Sequence, residues 1–295
     1  MKRLIRIAIF VLAGLVLGGG LLLTPSRPRP AAVAVPAPAE PAPPPAPGRV
    51  EAAMVYKPPA FRNSRQQRSE HVLRSWQLIG GVGVNIVTVN LSAKNVRFMP
   101  GFAAGADPVR GYFPLQNFYH IVQHYQPRVA INGTYFHLLN GSPTGPMVRH
   151  GKMLYDGRWG TTISLDDKGG LAFRYQSGTY GRHRGWEGIT NAISTGPTLV
   201  RDGKLWLHPR QEGFRDPAVL GRARRSALGL TWDNRLVLVT VGTRISLNKL
   251  GNIMLRLNCK QAANLDGGSS SALYSNGEYI TKPNRKLSNV LLIYD

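Results

Sequence analysis

From His71 to the C-terminus the hydrophobic positions come in short runs, β-branched or alternating, and glycine or a turn pair closes most of them. Runs of this length and punctuation predict strands rather than long helices. Residues 84–91, 96–99 and 128–131 read as three strands, the last entering Asn132. Hairpins are expected where two runs flank a turn signal. They are 162–165 with 171–175, 198–200 with 205–207 across Asp202-Gly203, and 226–232 with 236–241 around Asp233-Asn234. Residues 262–265, 272–274 and 290–294 supply closing strands. Two stretches carry a helical period instead. Residues 115–125 place Leu115, Phe118, Tyr119 and Val122 on one face and stop before Pro127, and residues 246–258 form the second. No repeat appears. The pattern predicts one α+β domain over 71–295, strand-rich and mixed, with two main helices.

Upstream of this domain the pattern changes twice. Lys2, Arg3 and Arg6 precede residues 7–23, seventeen positions without charge or proline, the length of a short membrane span. Positive charge ahead of the segment predicts the N-terminus inside and the bulk of the chain exported, although Arg27 and Arg29 weaken the asymmetry. A cleavable signal peptide has a shorter apolar core and a small-x-small site, for which Ala32-Val33-Ala34 could serve. Residues 1–23 are therefore a signal anchor or a signal peptide, with the anchor favoured. Ten prolines lie between Pro25 and Pro47. That composition favours extended polyproline II and cannot bury a core. At about 3.1 Å per residue the stretch reaches on the order of 75 Å. Residues 24–70, basic towards their end, read as a linker. The expected location is the cell membrane, single-pass through residues 7–23, with the C-terminal domain periplasmic or extracellular.

Charge narrows the partners. Lys and Arg number 37 against 15 Asp and Glu, a formal net charge of +22. The excess is spread along the chain, and no helix-turn-helix, zinc finger or aromatic RNA motif accompanies it, so nucleic acid is set aside. Anionic glycans, phosphosugars and an anionic membrane surface fit a basic exported domain better. Cys259 is the single cysteine, which excludes an intramolecular disulfide and any cysteine-cluster metal site; it reads as an inert core thiol. His120 and His124 lie four apart on the first helix but lack the Glu of a zinc-protease helix, and read as a surface face.

Three loops carry candidate chemistry. Asp266 ends the apolar run of residues 262–265 and opens Gly267-Gly268-Ser269-Ser270, where glycine lets backbone approach a ligand and serine adds donors suited to phosphate or sugar. A tight strand connection with a capping Asp gives the same pattern. Asn132-Gly133-Thr134 follows a strand and leads into Tyr135 and Phe136, so Asn132 could hold a sugar hydroxyl and an aromatic could pack on a ring; an Asn-Gly turn with core aromatics is the plainer alternative. Residues 222–225 form an arginine-rich loop entering a strand, where arginine offers phosphate a forked grip. A solvated basic loop would look alike.

Taken in order, Ile131 to Phe136, Pro143-Thr144-Gly145, Ser194-Thr195-Gly196-Pro197-Thr198 with Asp202-Gly203-Lys204, Arg225 to Gly229, and Asn264-Leu265-Asp266-Gly267-Gly268-Ser269-Ser270 resemble the phosphodiester glycosidase family. The resemblance spans residues 84–294 and is most specific at its last piece. It implies a pocket containing Asn132, Gly196, Arg225, Asp266, Gly267, Gly268 and Ser269, to which Gly133, Thr134 and Ser270 are added as neighbours. The family's bacterial relatives are associated with exopolysaccharides. Two positions depart from the family. An acidic Asp-Gly-Arg is replaced by Val241-Gly242-Thr243-Arg244, and a glycine by Thr134, which would narrow the pocket or add a hydroxyl.

The reaction implied is hydrolysis of a sugar 1-phosphodiester in envelope or exopolysaccharide metabolism. Ordinary glycosidases need two carboxyl groups, whereas a phosphate leaving group needs no acid. Arg225 would hold the phosphate and Asp266 would aim water at, or stabilise, the anomeric carbon. The pattern calls for no cofactor and offers no metal cluster, while a divalent cation on Asp266 stays open. The alternative is a non-catalytic binding module for anionic glycans on the same fold.

Overall fold

In the computed structural model, which describes residues 70–157, 160–166, 170–175 and 186–295, the apolar runs pair into three antiparallel sheets. The largest is built from Val72–Ile79 (β1), Val82–Asn90 (β2), Thr198–Arg201 (β10), Lys204–Leu205 (β11), Ala223–Thr231 (β12), Arg235–Ile245 (β13) and Cys259–Asn264 (β14). Its order is β1-β2-β13-β12-β14-β10-β11. The second contains Arg97–Phe102 (β3), Val129–Asn132 (β4), Leu273–Ser275 (β15), Glu278–Thr281 (β16) and Asn289–Tyr294 (β17) in the order β16-β15-β4-β17-β3. The third contains Met147–Arg149 (β5), Lys152–Tyr155 (β6), Thr161–Asp166 (β7), Leu171–Tyr175 (β8) and Ile189–Thr195 (β9) in the order β6-β5-β9-β7-β8. Three α-helices, Phe118–Tyr125 (α1), the short Pro217–Leu220 (α2) and Leu247–Arg256 (α3), complete the described residues together with one 3-10 turn.

The first sheet is covered on both faces, which is why its central strands read as nearly unbroken apolar runs. On one face Val87, Leu228 and Leu238 pack with Ile131 and Leu291 of the second sheet and Met147, Ile163 and Ile193 of the third. On the other, Val84, Val239 and Val241 lie under Leu250, Ile253 and Met254 of α3. Ser246 starts α3 by accepting a bond from the Lys249 N–H at 3.2 Å, and Arg256 stands in its last turn, where a cation complements the helix dipole. Cys259 belongs to this second core, and burial pushes its thiol well above the ordinary value. It has the surroundings of an inert core thiol.

The expected hairpins pair as read, and at β10–β11 both Asp202 (φ 51°) and Gly203 (φ 70°) take the left-handed conformation of a two-residue turn. The first helix needs correction, and five strands, β1, β5, β6, β9 and β16, were not among those expected. The first helix begins at Phe118, not Leu115, and buries Phe118, Ile121, Val122 and Tyr125. Tyr119, 100° round the helix from Phe118, is half exposed and lies with His120 and His124 on the outer face. Strand β9 escaped the apolar-run criterion because its polar residues bond internally, Ser194 to Thr162 at 2.5 Å and Thr195 to the Asn264 carbonyl at 2.8 Å. Residues 7–23 and the linker up to residue 69 lie outside the described residues, and no described helix is long and apolar enough to cross a membrane.

Candidate active site

The ends of strands from all three sheets meet at one place. Strand β4 of the second sheet ends at Asn132, β9 of the third runs into Gly196, and β14 of the first ends at Asn264. Backbone bonds join them. The Asp266 N–H donates to the Gly133 carbonyl at 3.2 Å, the Gly196 N–H to the Asn264 carbonyl at 2.9 Å, and the Leu265 N–H to the Ser226 carbonyl at 2.9 Å. Side chains tighten the junction. The Asn264 amide nitrogen faces the Tyr135 hydroxyl at 2.6 Å and the Leu265 and Gly196 carbonyls at 2.6 and 3.2 Å, while the Tyr135 hydroxyl donates to the Gly196 carbonyl at 2.8 Å. Burial, and secondarily the Asp266 charge, push the Tyr135 phenol far above its ordinary value, so it remains a donor.

Beside this junction opens a pocket of about 900 Å3. Tyr135, Phe136, Leu138 and Phe214 give it an apolar wall, and Asp266 lies on it with Gly267, Gly268 and Ser269. Burial raises the Asp266 carboxyl to about 6, against the lowering influence of the Ser270 hydroxyl, Arg285 and the Gly267 N–H, which donates to Oδ1 at 2.8 Å. The loop can lie this close to β12 because residue 267 has no side chain: a Cβ there would stand 2.7 Å from the Arg224 carbonyl oxygen. Gly268, at φ 58°, opens the 3-10 turn Gly268–Ser270. The Asn284 N–H donates to the Ser269 carbonyl at 2.7 Å and ties the turn to the opposite rim.

Arg225 reaches the pocket but not in the expected manner. It is 2% exposed, and its guanidinium bonds carbonyls of the protein itself: Nε to Ile245 at 3.3 Å, and Nη2 to Val219 at 2.9 Å and to Gly221. Nε and Nη2 are therefore engaged in holding α2 at the pocket lip, while Nη1 makes no such bond. Burial without a carboxylate partner lowers its pKa, yet arginine stays charged and lends a fixed positive field to the floor. Other cations share the pocket with it. Arg215, Arg222, Arg224, Arg244 and Arg285 line the same pocket. Asp216, the other carboxylate on it, accepts the Ala218 N–H at 2.8 Å as the cap of α2.

Five expected contact residues form the frame rather than the wall. Asn132 donates to the Asp266 carbonyl at 2.5 Å and accepts from the Ala272 N–H at 3.0 Å, so both ends of its amide position the Asp266 loop and none is left for a sugar. Gly133 lies against Asn289, whose Oδ1 would be 2.0 Å from an added Cβ and accepts the Thr134 N–H at 2.8 Å. Thr134 is 1% exposed, so it neither narrows the pocket nor offers it a hydroxyl. Gly196, at φ 144°, sits beneath the Phe214 ring, and Ser270 is fully buried. Arg285 and Asn264 were not among the expected contacts, and Tyr135 was expected as one of two aromatics that could pack on a ring. Tyr135 was visible only as an aromatic after the Asn-Gly pair, and nothing local marks Arg285, which comes from the segment after β16. Among the described residues no group of three or more His, Cys, Asp or Glu side chains is placed to hold a metal ion.

A family model for phosphodiester glycosidases matches residues 125–294, the stretch that contains this junction and its pocket. The chain belongs to the phosphodiester glycosidase family. Its fold is similar to that of the zebrafish N-acetylglucosamine-1-phosphodiester α-N-acetylglucosaminidase catalytic domain, auto-inhibited by its pro-peptide, with TM-score 0.61 and 20% identity over 79% of this chain and 86% of that one. A Synechocystis protein is as similar, with TM-score 0.61 and 19% identity over 75% of this chain, which spans 61% of that protein. A Burkholderia pseudomallei protein follows at 0.52 and 13% identity, over 75% and 74%. At these identities the structures speak for the fold. No curated protein matches the chain in sequence.

Proposed function

We propose that this family member hydrolyses a sugar 1-phosphodiester in the pocket beside Asp266. The observation that carries the reading is a pocket whose Lys and Arg residues are all arginine and which holds one carboxylate free of a capping duty. A glycosidase that expels an alkoxide needs a second carboxyl group as acid. A departing phosphate monoester is weakly basic and leaves without one. The C1–O bond breaks with its electron pair going to the phosphate, whose charge the arginines accept. Water adds to C1, and Asp266 orients it and takes its proton. Gly268 and Ser269 supply donors from the start of the 3-10 turn.

The finer reading puts this chemistry outside the cell membrane. Residues 7–23 would anchor the chain, the Pro-rich linker would hold the domain at a distance, and the substrate would be envelope or exopolysaccharide material. Fractionation of cells, with protease added from outside, should find the full chain in the membrane and the domain accessible.

The test is release of phosphate monoester from a panel of sugar 1-phosphodiesters by the full chain, with and without chelator, beside Asp266→Asn. Release by the unaltered chain that is lost in Asp266→Asn, by about 100-fold or more, is expected. Full activity in that variant would remove Asp266 from the chemistry. No release, with equal binding of an anionic glycan by both forms, would support the binding module instead.

A further inference from the structure

One phosphodiester carries one negative charge, and the pocket presents more arginine than it needs. Arg222, Arg224 and Arg244 come together for a topological reason. Ala223 of β12 pairs with Ile245 of β13 and Arg225 with Val241, so a bulge sets residues 242–244 opposite Arg224 and turns them outward. The three side chains therefore share one end of the β12–β13 ladder and line the pocket together. The Asp266 loop lies directly on the Arg224 backbone, so this group adjoins the proposed reaction centre.

What sets them apart is that three unpaired arginines are gathered in one concavity. On the open surface Arg74 stands by Glu278, Arg110 by Asp107, Arg201 by Asp202 and Arg235 by Asp233, while Arg256 at the end of α3 has no ion pair among the described residues. Among the described residues Arg222, Arg224 and Arg244 have no ion pair, and the one side-chain bond they make is from Arg224 to the Lys282 carbonyl at 3.3 Å. Like charges gathered in a concavity repel one another and focus a positive field that an anion relieves. The absence of lysine from the pocket lining favours a planar, forked partner.

We infer that Arg222, Arg224 and Arg244 form a second anion subsite, so that the substrate bears a further phosphate on the leaving side of the scissile phosphodiester. The inference rests on the proposed hydrolysis for its kinetic form. The second phosphate has two sources of the same chemistry: the next unit of a poly(sugar 1-phosphate), or the distal half of a diphosphate linkage.

Three probes with one sugar decide it: a 1-phosphodiester to a methyl group, a dimer of sugar 1-phosphate units, and a sugar diphosphate ester. The full chain should cleave one or both of the doubly charged probes with kcat/KM at least about tenfold above the methyl ester, through KM. Whichever is preferred names the source. In Arg222→Gln/Arg244→Gln that preference should collapse towards unity, whereas Arg256→Gln, which removes charge from exposed α3 surface outside the pocket, should keep it. Equal kcat/KM for all three probes, or a preference that survives the double substitution, overturns the inference. If no probe is cleaved, the hydrolysis reading fails by itself, and calorimetry with the dimer still decides the subsite. Binding weakened about tenfold or more by the double substitution, and unaltered by Arg256→Gln, supports it; binding equal in all forms overturns it.

Discussion

The Asp266 carboxyl is enclosed enough to resist charge and yet is needed as an anion if it takes a proton from water. With its pKa raised to about 6, kcat/KM on a phosphodiester, whose own charge does not titrate in this range, should rise with pH through an apparent value near 6 and then level. A profile that falls above 6 would make the protonated carboxyl the active form. The same shift acts on stability. Because the folded pKa lies above the ordinary value of 3.8, the native state holds its proton more tightly, and stability falls as pH rises through the window between the two. Asp266→Asn removes that cost. Thermal melts should show it more stable than the parent at pH 8, by on the order of 1 kcal/mol after screening by pocket water, or about 2–4 °C, and no different near pH 3. Asp266 and Gly267 to Ser269 were legible in the sequence, since an acid followed by two glycines and serines at the end of an apolar run gathers a carboxylate and open backbone donors within a few residues. Arg225 was legible as a cation, but its carbonyl partners come from α2 and the end of β13, which no local pattern connects.

Elements place these groups through close approaches that tolerate little change. The Asp266 loop rests on β12, and Gly267→Ala would drive a methyl into the Arg224 carbonyl. That variant should fold with a displaced loop and lose activity at least about tenfold, a loss read in kcat. On the other side Asn289 of β17 accepts the Thr134 N–H at 2.8 Å and donates to its carbonyl at 3.3 Å. Asn289→Ala leaves both buried groups without a partner and should cost about 1–3 kcal/mol in denaturant titration. Arg225→Lys separates charge from geometry, because one ammonium cannot reach the carbonyls of Val219, Gly221 and Ile245 together. Faster amide exchange across α2 and lower activity are expected; unchanged exchange would show that α2 stands without it. The strands that carry the pocket were largely readable from short runs and turn residues. Strand β9 was not, since its polar positions are satisfied by neighbours in space.

At the scale of the molecule, charge and topology act together. The arginines on the pocket make association with an anionic substrate salt-dependent, and KM should rise steeply between low and physiological ionic strength while kcat changes little. Rate measurements across a salt series check this, and a flat KM would mean that the arginines do not meet the substrate's charge. By itself the sequence determined the strand-rich α+β class, the hairpins and the order of the family's pieces, because these follow from the local alternation of apolar residues and the chemistry of turns. It also determined which loop carries the carboxylate. Only the tertiary structure decided that Asn132, Gly133, Thr134, Gly196 and Ser270 hold the frame, that Arg225 faces inward to α2, and that Arg222, Arg224, Arg244 and Arg285 share one pocket with Asp266. Those placements depend on three sheets ending at a common point, and partners brought together by strand order, such as Asn132 and Asp266, leave no periodicity for a sequence to show.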